Sequence, residues 1–181
     1  PYKRVDLVVE AFNRTGLPLV VIGDGPERAR LEALAGPSVR LLGRLPQSEV
    51  NAWMARCRAY VFAGLEDFGI APVEAMAAGA PVIGLGQGGL LDSVRCISSG
   101  CLQPTGLLFP EQSVSSLVAA LEHFEQQRLW QQLPAESLRQ WAERFGPQRF
   151  RQRMGALIEQ VWSRHQRLRA ERSQPVAVPL G

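Results

Sequence analysis

Gly64-Leu65-Glu66-Asp67-Phe68-Gly69-Ile70-Ala71-Pro72-Val73-Glu74-Ala75-Met76-Ala77-Ala78-Gly79-Ala80-Pro81-Val82-Ile83 reads as a turn from a strand into a helix, with two carboxylates set around it. The apolar run Ala59-Tyr60-Val61-Phe62-Ala63 precedes it and has the character of a buried strand. Past Gly69 the sequence predicts a short helix. Pro72 suits a first helical turn, where its missing N–H is not needed. Ala75 to Ala78 are good helix formers and Gly79 is a good stop. Pro81-Val82-Ile83 then reads as the next buried strand.

Glu66 and Glu74 have seven residues between them, so one falls in the loop at the carboxyl end of a strand and the other early in the following helix. In open α/β sheets that edge is where ligands bind. Backbone N–H groups around Gly69 and Ile70 at the helix start favour an anion. Two carboxylates would be poor partners for a phosphate but good acceptors for hydroxyl groups. A ligand carrying both, such as a nucleotide sugar, suits the mixture. The same residues would serve equally as a complement to the helix dipole, for Glu74, and as a solvated loop charge, for Glu66.

Outward from this stretch, helical and strand-like patterns alternate. Val5 to Phe12 carries a helical apolar face, and Leu17 to Ile22 is a short apolar run. Gly23-Asp24-Gly25-Pro26 is a turn, with Pro26 expected to open a helix through Leu34. It is not a dinucleotide fingerprint, and a packing turn is the better reading. Val39 to Leu42 is the third run, Gly43-Arg44-Leu45-Pro46 turns the chain, and Gln47 or Ser48 starts a helix through Cys57. Past Ile83, the glycine-rich loop Gly84 to Asp92 enters a helix, and Thr105 to Phe109 reads as the last strand. Gln112 to Gln127 is amphipathic with Val114, Leu117, Val118 and Leu121 inward, and two helices follow at about 135–144 and 147–167. The alternation indicates an α/β domain with a doubly wound parallel sheet and right-handed crossovers. Residues 1–172 are expected to form one domain and 173–181 a loose tail.

The 181 residues leave room for one such domain, and no apolar run approaches the roughly 20 residues that span a bilayer. The net charge of +3 is uneven: Arg139 to Arg172 holds nine Arg and three Glu, a net +6, leaving the rest at −3. That basic stretch would suit an anionic membrane surface or another domain, or be a solvated helix face. With an acidic body and no aromatic-basic motif, nucleic acid is not an expected partner. Cys57, Cys96 and Cys101 have neither metal-ligand spacing nor a disulfide framework, which fits a reducing, cytoplasmic compartment. Only two histidines occur, His123 and His165, both in helical stretches, so a histidine-based dyad is not expected. Lys3 is the one lysine among twenty basic residues, a compact charge that suits a diphosphate or simply a surface residue.

Phe68-Gly69, Pro72, Glu74-Ala75-Met76-Ala77-Ala78-Gly79 and Pro81-Val82, read with Glu66-x7-Glu74, resemble the signature of retaining glycosyltransferases of the GT-B fold. The likeness is to family 4, in its mannosyltransferase-like subset, and runs from about Tyr2 to Val161. It implies the C-terminal, donor-binding half of such an enzyme, with an N-terminal acceptor half and an upstream arginine absent from this chain. Pro1-Tyr2-Lys3-Arg4 matches the segment whose lysine contacts the donor diphosphate. The resemblance implies that Glu74 binds the ribose hydroxyls and Glu66 those of the transferred sugar. It places the amides of Phe68, Gly69 and Ile70 near sugar and phosphate, and the Gly43-Arg44-Leu45 loop at the nucleotide base. Gly88-Gly89-Leu90 would lie near the diphosphate, with Asp92 where the family has Glu.

Lys3 and Glu66 are thus the candidate catalytic residues. Glu66 is not read as a nucleophile, because the family is thought to proceed without one. The centre is oxocarbenium-like, and the leaving diphosphate draws on Lys3 and helix N-termini. No metal or other cofactor is expected; the donor would be GDP-mannose or a UDP-sugar, and the acceptor a saccharide or a lipid-linked group. Since a GT-B site lies between two halves, this chain is expected to be inactive alone. A UDP-sugar epimerase, an α-glucan synthase, or a non-catalytic nucleotide-sugar-binding or scaffold domain are the alternatives.

Overall fold

The computed structural model describes residues 2–172; the tail expected at 173–181 lies outside the described residues. The described residues form two compact units, divided after Ala142. In the first, strands and helices alternate: α1 (Val5–Thr15), β1 (Leu19–Ile22), α2 (Arg28–Leu34), β2 (Val39–Gly43), α3 (Gln47–Arg56), β3 (Tyr60–Phe62), α4 (Ile70–Ala78), β4 (Val82–Leu85), α5 (Leu90–Ser93), β5 (Gly106–Phe109), α6 (Val114–Gln126) and α7 (Ala135–Ala142). All strand pairs are parallel, as the crossover helices require. The hydrogen-bonded strands fall into two ladders, β1–β2 and β3–β4–β5. β1, β3 and β5 are shorter than the apolar runs that announce them, β2 and β4 one residue longer; β1 pairs with β2, and β3 with β4.

Both faces of the three-stranded ladder are covered, and β4 shows how. Alternate side chains of a strand point to opposite faces. Ile83 and Leu85 join a core with Leu7, Val9, Phe12, Leu117, Leu121 and Phe124 of α1 and α6. Val82 joins the other, with Met76 of α4, Leu90, and Leu138 of α7. Each such fully buried side chain contributes about 1.5–3 kcal/mol. A strand buried on both faces has no polar alternation, so β4 reads as a plain apolar run.

Several boundaries differ from expectation: α6 begins at Val114 and leaves Gln112 in the turn before it, α7 ends at Ala142, and the last helix runs on to Arg172. Pro26 does not open α2: it lies in a turn in which the Arg28 N–H donates to the Gly25 carbonyl at 3.1 Å, and the helix begins at Arg28. Residues 129–132 add a short 3₁₀ turn that carries no sequence signature beyond buried Leu129. The second unit holds a 3₁₀ turn over Glu143–Phe145 and α8 (Pro147–Arg172). Residues 147–169 of α8 are all exposed, Phe150, Leu157, Ile158, Val161 and Trp162 among them.

Candidate functional site

β3 delivers the chain to the site. Just past its end, buried Gly64 permits a close approach: a Cβ there would lie 2.9 Å from the Lys3 Cα and 3.1 Å from the Tyr2 carbonyl oxygen. Tyr2 and Lys3 are thereby packed on the carboxyl end of β3. The loop then runs to Gly69, which caps α4 with φ 80°, a left-handed conformation that glycine adopts without penalty. Pro72 occupies the third helical position, and Gly79, at φ 97°, ends α4 with its N–H on the Met76 carbonyl at 2.9 Å. Both caps lie where the sequence signals them.

An open cleft of about 600 Å³ is lined by Tyr2, Lys3, Phe62, the run from Leu65 to Ala71, and Glu74. Lys3, Glu66, Phe68, Gly69, Ile70 and Glu74 are thus gathered in one place from 72 residues of sequence. Glu66 is half-buried, whereas Lys3 and Glu74 are exposed. The Lys3 ammonium lies 5.8 Å from the centroid of the Tyr2 ring. One cation faces three carboxylates, Asp67 being the third. Such a lining accepts hydrogen bonds from several hydroxyls and offers a single point charge to an anion. Tyr60, at the start of β3, registers the same charges: burial pushes its phenol up to about 12, with Glu66, Glu74 and Cys57 adding to the rise. It remains protonated at neutral pH.

Gly88, Gly89 and Leu90 do not line the cleft; they brace the loop that does. The Gly89 N–H donates to the Glu66 carbonyl at 2.8 Å. A Cβ on Gly88 would lie 2.7 Å from that same oxygen, and one on Gly89 would overlap the Asp67 carbonyl and the Phe68 Cα. Leu90 packs against Gly69, its Cδ1 3.2 Å from where a Cβ would stand. The close approach these glycines permit is therefore to the loop's own backbone. Asp92 is exposed on α5. Gly43, Arg44 and Leu45 are likewise outside the lining. Gly43 ends β2 at φ 69°, its carbonyl accepts from the Gly23 N–H at 2.8 Å, and the Arg28 guanidinium lies over it. The turn at Gly23 is exposed and nothing packs on Gly23 or Gly25, so it is not the packing turn expected; the Asp24 carboxylate closes it by accepting from the Gly25 N–H at 2.8 Å.

Tyr2, Phe62, Leu65, Asp67 and Ala71 line the cleft without having been singled out from sequence. Asp67 and Tyr2 each adjoin a residue that was, and adjacency in an irregular loop was the signal available. Among the described residues no group of three His, Cys, Asp or Glu side chains could hold a metal ion, and no helix is long and apolar enough to cross a membrane.

Residues 1–144 match the family described as "Glycosyl transferases group 1". A GDP-mannose-dependent alpha-mannosyltransferase of Mycobacterium tuberculosis is 34% identical over 129 residues, 71% of this chain and 33% of its own length. A 2-deoxystreptamine glucosyltransferase of Streptomyces kanamyceticus is 39% identical over 93 residues, 48% of this chain and 24% of its own. Among solved structures, the sucrose-phosphate synthase of Thermosynechococcus elongatus superposes with a TM-score of 0.74 at 25% identity, over 90% of this chain and 43% of that one. The chain thus spans about a quarter to a third of these two curated relatives. Its parallel α/β architecture is that of the GT-B enzymes' Rossmann-like half. With about four-fifths of its length matched, this chain belongs to the group 1 glycosyl transferases.

Proposed function

We propose that the chain is the donor-binding domain of a retaining hexosyltransferase of family 4, which moves a sugar from a nucleoside diphosphate to a saccharide or lipid-linked acceptor. The observation that carries this reading is the convergence of Lys3, Glu66 and Glu74 on one cleft at the carboxyl end of β3. Glu74 takes the ribose hydroxyls and Glu66 those of the sugar. Lys3 balances the charge that develops on the diphosphate as the bond from the anomeric carbon to its oxygen breaks. The first turn of α4 supplies N–H groups that the helix itself leaves without partners. Mannose on GDP is the donor we favour, supported by the resemblance around Phe68-Gly69-Ile70 and by the M. tuberculosis relative's name. The acceptor would be met largely by an N-terminal half, and all of residues 1–172 would serve the donor domain.

Calorimetric titration with GDP, UDP, ADP and their hexose conjugates tests this. Binding of one base family with Kd in the micromolar to low millimolar range is expected. Indifference to all of them at millimolar concentration would remove the donor-domain reading and leave a scaffold domain.

A further inference from the structure

Gln112 lies in the turn between β5 and α6, remote in sequence from both segments it joins. Its Nε2 donates to the Ala63 carbonyl at 2.9 Å, and its Oε1 accepts from the Arg4 Nη1 at 3.0 Å. Ala63 is buried and follows directly on β3; Arg4 follows directly on Lys3. The one amide therefore ties the carboxyl end of β3 to the residue after the cleft's only ammonium. Arg4 holds φ at 50°, a left-handed conformation that costs a non-glycine residue roughly 1–2 kcal/mol. Its side chain is fixed there from two directions, by Gln112 and by Asp6, whose carboxylate accepts from Nε at 3.2 Å. Burial pushes the Asp6 carboxyl up, yet the Leu7 N–H and the Arg4 guanidinium hold it below the ordinary aspartate value. Neither Arg4 nor Gln112 lines the cleft.

We infer that Gln112 is a positioning residue: it clamps the Tyr2–Arg4 segment to the end of β3 and so sets where the Lys3 ammonium stands. An amide is required because one end must donate and the other accept. A carboxylate has no donor for the Ala63 carbonyl. Methionine fills the same space with neither bond. The inference rests on the donor-binding reading, since Lys3 matters to it only through a diphosphate.

The test is titration of the full chain with whichever of GDP, UDP or ADP binds best, and with the matching nucleoside. Variants are Gln112→Met, Gln112→Glu, Lys3→Ala and the double variant Lys3→Ala with Gln112→Met. Gln112→Met is expected to weaken the diphosphate roughly fivefold to tenfold, the worth of an ordinary hydrogen bond, and to leave the nucleoside unchanged. Gln112→Glu should fall between the two, because it keeps the Arg4 contact. In the double variant the Gln112 change should cost nothing further, because its effect passes through Lys3. Equal losses for diphosphate and nucleoside, or additive losses in the double variant, would reduce Gln112 to a structural role and overturn the inference while leaving the donor reading standing. Absence of any nucleotide binding by the unaltered chain would overturn both.

Discussion

Tyr60 shows how charge is distributed around the site at the level of single residues. Its phenol, half-buried at the start of β3, has its pKa raised to about 12 by burial, then by Glu66 and Glu74. A raised pKa means that the folded chain holds the proton more tightly than the unfolded one. The stabilising contribution is therefore complete below the unfolded value of about 10, and is lost as pH rises from there through about 12. Two units correspond to roughly 2–3 kcal/mol. Urea unfolding of the wild type between pH 9 and pH 12 should lose that much more than Tyr60→Phe, which has no proton to release. Parallel alkaline losses in the two proteins would mean that the phenol ionises normally. Cys57, whose thiol burial also pushes up, titrates in both proteins. Legibility at this scale was uneven. Glu66, Glu74 and Lys3 stood out because charges flank an apolar turn and because one lysine stands among arginines. Tyr60 read only as a strand residue, since nothing in a sequence reports which charges face a phenol.

Among the elements, the turn from β3 into α4 was the most legible, for Gly69, Pro72 and Gly79 each have a conformational reason to stand where they do. The second glycine loop was less so. Gly88 and Gly89 signal that something must come close, without saying what. In the fold that partner is the backbone of Glu66, Asp67 and Phe68. Gly89→Ala should accordingly destabilise by about 1–3 kcal/mol, the range for forcing atoms into packed structure. Gly25→Ala, where a Cβ meets nothing within 4 Å, should stay within about 0.5 kcal/mol of wild type. Urea midpoints at unchanged slope read both. A neutral Gly89→Ala would show that the loop yields readily, and would weaken the assignment of Gly88–Leu90 as its brace. At Gly43 the left-handed φ is itself a reason for glycine, and the Arg28 guanidinium lies beside it.

For the whole molecule, strand runs and helical periods were enough to recover a parallel α/β domain. The division of its strands into β1–β2 and β3–β4–β5 was not legible, because a run buried on both faces carries no mark of its neighbours. The boundary after Ala142 was not legible either, since helical periodicity continues on both sides of it. The central claim is that Glu66 and Glu74 divide one ligand between them, sugar to the first and ribose to the second. It is tested most directly by titrating wild type, Glu66→Gln and Glu74→Gln with the preferred nucleoside diphosphate and with its hexose conjugate. Glu74→Gln should weaken both ligands by a similar factor, about tenfold, the range of a hydrogen bond to a charged group. Glu66→Gln should leave the diphosphate unchanged and abolish whatever affinity the hexose adds. If Glu66→Gln weakens the bare diphosphate, or Glu74→Gln spares it, the two carboxylates do not divide the ligand in this way.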